Sequence, residues 1–272
     1  MPGTRTASRY QHHYVDTGDV RLHLAEMPGD RPMLMLHGIG MDWRVWQAIS
    51  RRLAPAFHLY LVDLRGHGES DKPASGYSVG HYAADVEELV VRLGLREAVL
   101  VGSSLGGVVA AATELPVDMV SHKILVDPPL TSGPVADPDT LRTILDLKHR
   151  PSDQLAAFLA QSNPGVGQFL AGMMAEMWRA SADGVIEAAL ADLQGYFAID
   201  SALEATEQPV LLLQADRDRG QSLSDGNAER ALRLLPRGTL VHVPGSGHAI
   251  HATNPAEFAR LITDFADTAK AV

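Results

Sequence analysis

The sequence predicts an α/β protein, a doubly wound and mostly parallel eight-stranded sheet with an inserted helical cap. Three observations carry that prediction. Short apolar runs recur along the chain at Met33–Leu36, His58–Val62, Ala98–Val101, Lys123–Val126, Val210–Leu213 and Thr239–Val243. They are largely continuous rather than alternating, as expected of strands covered on both faces. Helical patterns separate most of them, so the strands need crossover connections and run parallel. Between residues 130 and 206 no convincing strand pattern is found, and helical spacings with Gly, Pro, Asn and Asp breakers take over.

Taken in order, residues 1–9 read as a flexible arm. Tyr10–Val15 and Val20–Glu26 alternate polar and apolar residues around Asp16-Thr17-Gly18-Asp19, which predicts an antiparallel hairpin with one wet face. Trp43–Leu53 has helical spacing, with Trp46, Ile49 and Leu53 on one side. Ser78 is placed to cap a helix running to about Leu93, and Gly94 to stop it. A further helix is expected over Leu105–Glu114. The cap interval divides into Asp139–Lys148, Ser152–Gln161, Gln168–Ala180 and Gly184–Leu193, followed in the core by helices at Asn227–Leu235 and Pro255–Asp267. The implied domains are a core of residues 1–128 and 207–272 and a cap of residues 129–206.

Composition narrows the function. The chain has 272 residues, 46% of them hydrophobic, enough for one large core. The net charge is -10 and no Lys/Arg run exceeds Arg51-Arg52, so no nucleic-acid footprint is expected. With no cysteine, thiolate catalysis, disulfides and Cys-ligated metals are excluded. Leaving His248 aside, the histidines show no metal-ligand spacing on a helix, so neither metal nor cofactor is expected. No run approaches the ~18 apolar residues of a membrane span, and no secretory signal is seen. The expected setting is cytoplasmic and the expected partner a small molecule; the sequence does not indicate an oligomeric state.

The chemistry centres on Val99-Leu100-Val101-Gly102-Ser103-Ser104-Leu105-Gly106-Gly107, a β run entering Gly-x-Ser-x-Gly and leaving as a small-residue helix. A serine lifted clear of a strand end needs a turn of uncommon φ/ψ, and the glycines accept the close chain approach that results. The bare motif arises by accident in roughly one such chain in ten, so its company decides. His248 lies in Pro244-Gly245-Ser246-Gly247-His248 after the last strand and is the candidate base. Two aspartates can orient it: Asp218 after Val210–Leu213, the first choice, and Asp127 after Lys123–Val126. Backbone N–H groups of Leu105 and Ile39 are the candidate oxyanion donors. His37 is expected to hold the Ile39 loop by side-chain hydrogen bonds. Trp43, Phe158, Met173, Met177 and Ile250 are candidates for an apolar pocket wall.

Four ordered motifs resemble the α/β-hydrolase fold superfamily over nearly the whole chain. They are His37-Gly38-Ile39-Gly40, Asp63-Leu64-Arg65-Gly66-His67-Gly68-Glu69-Ser70, the elbow at Gly102–Gly107, and Gly247-His248. The resemblance implies a Ser104–Asp218–His248 triad beneath a helical cap, and a serine hydrolase of a carboxylic ester or lactone. The acid loop departs from the family pattern, with Ala215 where glycine is common and Arg219-Gly220-Gln221 after Asp218. Some relatives carry the acid one strand earlier, which keeps Asp127 in play. Serine at 104 argues against the epoxide and haloalkane hydrolases, which use aspartate. C–C bond hydrolysis of a vinylogous diketone acid ranks lower, because Ala249-Ile250 stands where such relatives carry a bulky aromatic. A ligand receptor without turnover is the alternative of another class.

Overall fold

The computed structural model describes residues 10–130, 138–162, 167–191 and 197–268. The expected arm at residues 1–9 and the end of the helix expected to reach Leu193 lie outside these residues. One eight-stranded sheet forms, in the order β1 (Gln11–Asp16), β2 (Arg21–Met27), β4 (Phe57–Val62), β3 (Arg31–Leu36), β5 (Ala98–Ser103), β6 (Val120–Val126), β7 (Val210–Gln214) and β8 (Gly238–His242). β2 pairs antiparallel with β1 and β4, and every pairing from β4 to β8 is parallel. The hairpin differs from expectation in one respect. His23, on the face read as wet, is fully buried, because β4 covers β2 and Asp63 takes its Nδ1 at 2.8 Å.

The pleat sorts strand residues into two apolar layers. Leu34, Leu36, Leu100 and Leu212 face α2 (Val79–Arg92), α3 (Leu105–Ala112) and α9 (Asp225–Leu234). Met33, Met35, Val99, Val101, Leu211 and Leu213 face α1 (Gln47–Leu53) and α11 (Pro255–Ala266). Helices on both faces leave β3, β5, β6 and β7 almost wholly buried, which is why those runs are continuous in apolar residues. Ser78 caps α2, as its position before the helical spacing predicts.

Between β6 and β7 come α4 (Pro138–Leu147), α5 (Ser152–Ser162), α6 (Gln168–Ala180), α7 (Asp183–Ala191) and α8 (Asp200–Ala205), with no strand among the described residues. Polar ties fix this insertion. Buried Lys148 donates to the Ser181 carbonyl at 2.6 Å and pairs with Asp183 at 2.7 Å. Arg230 of α9 pairs with Asp200 and donates to the Leu130 carbonyl at 2.7 Å, so one guanidinium holds both ends of the insertion to the core.

The elbow is set by backbone proximity. Ser104 sits at φ 54, ψ −118, a strained conformation for a side-chain-bearing residue. The strain persists because α3 must start at once and pass over β5. A Cβ on Gly102 would lie 2.0 Å from the Gly106 carbonyl oxygen, and one on Gly106 would lie 2.3 Å from that of Leu36. Both obstacles are main chain and cannot rotate aside. Replacing Gly102 with alanine is therefore expected to cost about 3 kcal/mol or more of folding stability, read as a fall in urea midpoint. Gly172→Ala, where a Cβ meets nothing within 4 Å, is the matched control.

Candidate active site

The sheet order gathers the site. β3, β5 and β6 are neighbours, so the loops leaving their C-terminal ends lie side by side. These carry His37–Gly40, Ser104 and Asp127, and crevices at such strand ends are where open α/β sheets place their chemistry. Ser104 N–H donates to the Val126 carbonyl at 3.0 Å, and Asp127 N–H to that of Leu213 at 2.7 Å, extending the ladder into the site. Leu105 opens α3, so its N–H has no intrahelical acceptor. The Gly38 loop runs directly past the serine: a Cβ on Gly38 would be 3.2 Å from Ser104 Cβ and 3.7 Å from its Oγ.

His248 is seated on Asp127, not on Asp218. Its Nδ1 lies 2.7 Å from Asp127 Oδ2. The Asp127 carboxylate is fully buried and also accepts three backbone N–H bonds, from Ala215 (3.2 Å), Ser222 (2.7 Å) and Leu223 (3.2 Å). A positive φ of 44 turns the residue out of the strand line. This reverses the preference for Asp218. That residue lies in the short 3-10 turn Arg217–Arg219 and is exposed. The loop after β7 thus brings its amides to the carboxylate rather than a carboxylate to the histidine, and the carboxylate they hold follows β6. Nδ1 engaged by a carboxylate leaves Nε2 as the nitrogen able to exchange a proton with a hydroxyl.

The loop beside the serine is held by a frame of buried polar groups. Asp63 accepts from Trp43 N–H (2.7 Å), Glu69 N–H (2.9 Å) and His23 Nδ1 (2.8 Å). Burial alone would push its carboxyl up, but the His23 bond and the two amides outweigh it and hold the group below its ordinary value. His37 donates from Nδ1 to the Gly38 carbonyl (2.8 Å) and accepts the Leu64 N–H at Nε2 (3.0 Å). His67 repeats the scheme, donating from Nδ1 to the Arg65 carbonyl (2.8 Å) and accepting the Gly40 N–H at Nε2 (3.0 Å). The two rings meet edge to face at 4.9 Å. Each Nε2 must stay bare to accept, so both rings are neutral. Burial depresses the basicity of both, and with His37 nearby His67 falls to about 3.

The expected pocket residues separate. Phe158 is half-buried and packs against the apolar layer that also holds Ile39, Met174 and Trp178. Met177 is buried and Met173 half-buried on α6. Trp43 and Ile250 fall on the other side of the sheet, in the α1 and α11 layer. The Asp63 bond to Trp43 N–H fixes that turn, and the indole packs on Tyr10 (4.9 Å) and His12 (5.4 Å). Ile250 begins α10 (Ile250–Thr253), which packs on α1 and α11. Two residues absent from the expectation do reach the site loops: His67, and Trp178, whose indole carbons lie where a Cβ on Gly40 would stand. His67 was visible as part of Arg65-Gly66-His67-Gly68, while Trp178 gave only its place on an apolar helix face. Among the described residues no group of three or more His, Asp or Glu is arranged to hold a metal ion, and no helix is long and apolar enough to cross a membrane.

The chain belongs to the Alpha/beta hydrolase family, whose pattern it matches over residues 33–261. It is an enzyme of that superfamily. It is similar to 2-(acetamidomethylene)succinate hydrolase of Mesorhizobium japonicum, 30% identical over 93% of this chain and 94% of that protein. Among solved structures, E-2-(acetamidomethylene)succinate hydrolase superposes with a TM-score of 0.78 at 26% identity, covering 95% of this chain and all of that one. An esterase from Exiguobacterium antarcticum reaches 0.82 at 17% identity, again over 95% and 100%, which shows the shared fold.

The buried imidazoles make stability pH-dependent. His251 packs between Trp46 (4.5 Å) and Phe258 (6.1 Å), and burial with His248 nearby lowers its pKa to about 3. Its unfolded value is about 6.5. A folded pKa below the unfolded one stabilises fully above pH 6.5, and the contribution is lost as pH falls toward 3. Relative to wild type, His251→Phe should therefore gain about 1.4 kcal/mol per pH unit below about pH 6. Urea midpoints of both proteins between pH 7.5 and 4.5 check this; a pH-independent difference contradicts it.

Proposed function

We propose that this enzyme is a serine hydrolase of a carboxylic ester or lactone, with Ser104 as nucleophile, His248 as general base and then acid, and Asp127 as the orienting carboxylate. The observation that carries the reading is the His248 Nδ1 bond to the buried Asp127, made at the end of the strand beside the elbow. The carboxylate fixes the tautomer with Nε2 free to take the Ser104 proton as Oγ attacks the acyl carbon. The N–H groups of Ile39 and Leu105 stabilise the tetrahedral oxyanion, a contribution of roughly 3–4 kcal/mol per donor. Collapse expels the alcohol, which receives the proton from His248. Water activated by the same imidazole then attacks the acyl-enzyme and releases the acid and free Ser104. Residues 129–206 act as the cap over this site, their apolar inner face receiving the substrate.

A second reading rests on the Mesorhizobium relative, whose name places an acetamido group on its substrate. Amide hydrolysis uses the same steps with a nitrogen leaving group, so it differs in what His248 must protonate. A panel of esters, lactones, amides and vinylogous diketone acids separates these readings from C–C cleavage.

Ser104→Ala is expected to abolish fluorophosphonate labelling and ester turnover together. Asp127→Asn should lower kcat by about 10³–10⁴-fold, as loss of a triad orienter does, while Asp218→Asn should stay within about twofold of wild type. The opposite order would return the acid to Asp218. Turnover absent across the whole panel, with labelling absent too, would overturn the reading.

A further inference from the structure

We infer that His67 and Trp178 are positioning residues that clamp Gly40 between core and insertion and so hold the oxyanion loop in its working shape. The inference rests on the serine-hydrolase reading, since it assigns residues to the hole that Ile39 would complete. The clamp is built on a turn. Met41 N–H donates to the Gly38 carbonyl at 3.1 Å, closing a four-residue loop with Ile39 and Gly40 at its centre. Gly40 has φ +70, and Ile39 is not among the positive-φ residues. A positive φ at the third position alone defines a type II turn.

Such a turn has a near neighbour. Flipping its central peptide, between Ile39 and Gly40, converts it toward type I while keeping the closing bond. His67 opposes the flip. Its Nε2 accepts the Gly40 N–H at 3.0 Å, and its Nδ1 proton is spent on the Arg65 carbonyl. A flipped peptide would turn the Ile39 carbonyl oxygen toward Nε2, lone pair against lone pair. The imidazole is fully buried, so no water can restore the lost bond.

Trp178 closes the other side. A Cβ on Gly40 would lie 2.2–2.3 Å from its Cδ2, Cε3 and Cε2, so the six-membered ring lies directly against the glycine. The indole is 4% exposed and stands at the end of α6, where the Ser181 hydroxyl donates to its carbonyl at 2.7 Å. Ser181 in turn receives the buried Lys148 ammonium. The indole therefore reports how α6 is seated, and Gly40 feels it. Gly38 packs along Ser104, so the Gly38–Ile39 peptide, which carries the Ile39 N–H, is set beside the nucleophile by the same turn that His67 and Trp178 hold.

The test uses the full chain, an activated short-chain ester and a boronic acid that mimics the tetrahedral adduct. His67→Leu keeps bulk and removes the acceptor, His67→Gln returns an acceptor oxygen, and Trp178→Ala removes the indole. In His67→Leu and Trp178→Ala, kcat should fall about 10–100-fold, a share of the loss seen when an oxyanion donor is removed. KM should stay within about threefold, because the hole acts on the transition state more than on bound substrate. Boronate affinity should fall in proportion to kcat/KM, and His67→Gln should recover most of both. A purely structural role would instead lower the thermal midpoint and leave boronate affinity unchanged in the folded fraction. That result, or wild-type kcat in both Leu and Ala variants, overturns the inference. If His67→Leu does not fold, His67→Gln and Trp178→Ala decide it by the same proportionality. A wild type that neither hydrolyses the ester nor binds the boronate overturns the underlying reading and this inference with it.

Discussion

The contact on which everything else rests is main chain against main chain, where α3 leaves the end of β5. Gly106 sits against the carbonyls of Leu36 and His37, and Gly102 sits under the carbonyl of Gly106. Without that proximity the turn could relax and Ser104 could leave its unfavourable φ. With it, the strain is distributed over two strands and a helix whose apolar side chains are almost wholly buried. The same contact brings the β3 exit loop beside the serine, so that loop and the turn carrying Ser104 are one packing unit.

A second layer of order is polar. Asp63, His37 and His67 satisfy backbone amides that would otherwise be buried without acceptors, at Trp43, Glu69, Leu64 and Gly40, and His23 steadies Asp63. Their role is to make irregular loops behave like secondary structure. It also explains why histidines are frequent near the site without being reactive. Rings such as His37 and His67, held between a donor and an acceptor of the main chain, have no lone pair left for chemistry, whereas His248 is partly exposed with one nitrogen on a carboxylate.

Much of this was legible in the residues. Continuous apolar runs marked the buried strands, and Gly-x-Ser-x-Gly carried both the serine and the reason for its glycines. What escaped depended on paths through space. Asp218 stands where a carboxylate would serve, yet the run Arg217–Gly220 turns outward and the residues flanking it, Ala215, Ser222 and Leu223, offer amides instead, so the choice between two aspartates was made by loop geometry. Trp43 and Ile250 have the apolar character of pocket residues, but spacing along a chain does not say which face of a sheet a turn will reach. Trp178 was one apolar position among many on α6 until Gly40 was seen beneath it. The altered sequence after Asp218 was the available hint, because a loop that supplies N–H groups has no need of a particular side chain.

The way Asp127 is held has a consequence for how this surface can vary. The segment after β7 serves the carboxylate through the amides of Ala215, Ser222 and Leu223, while Arg217, Asp218 and Arg219 project into solvent. Its side chains are therefore free to drift in charge and size, whereas its length is not, since one residue removed would draw the amides off their acceptor. Adaptation to a new solvent, surface or neighbouring molecule can be written on those exposed positions while the buried carboxylate that the segment holds is left as it is.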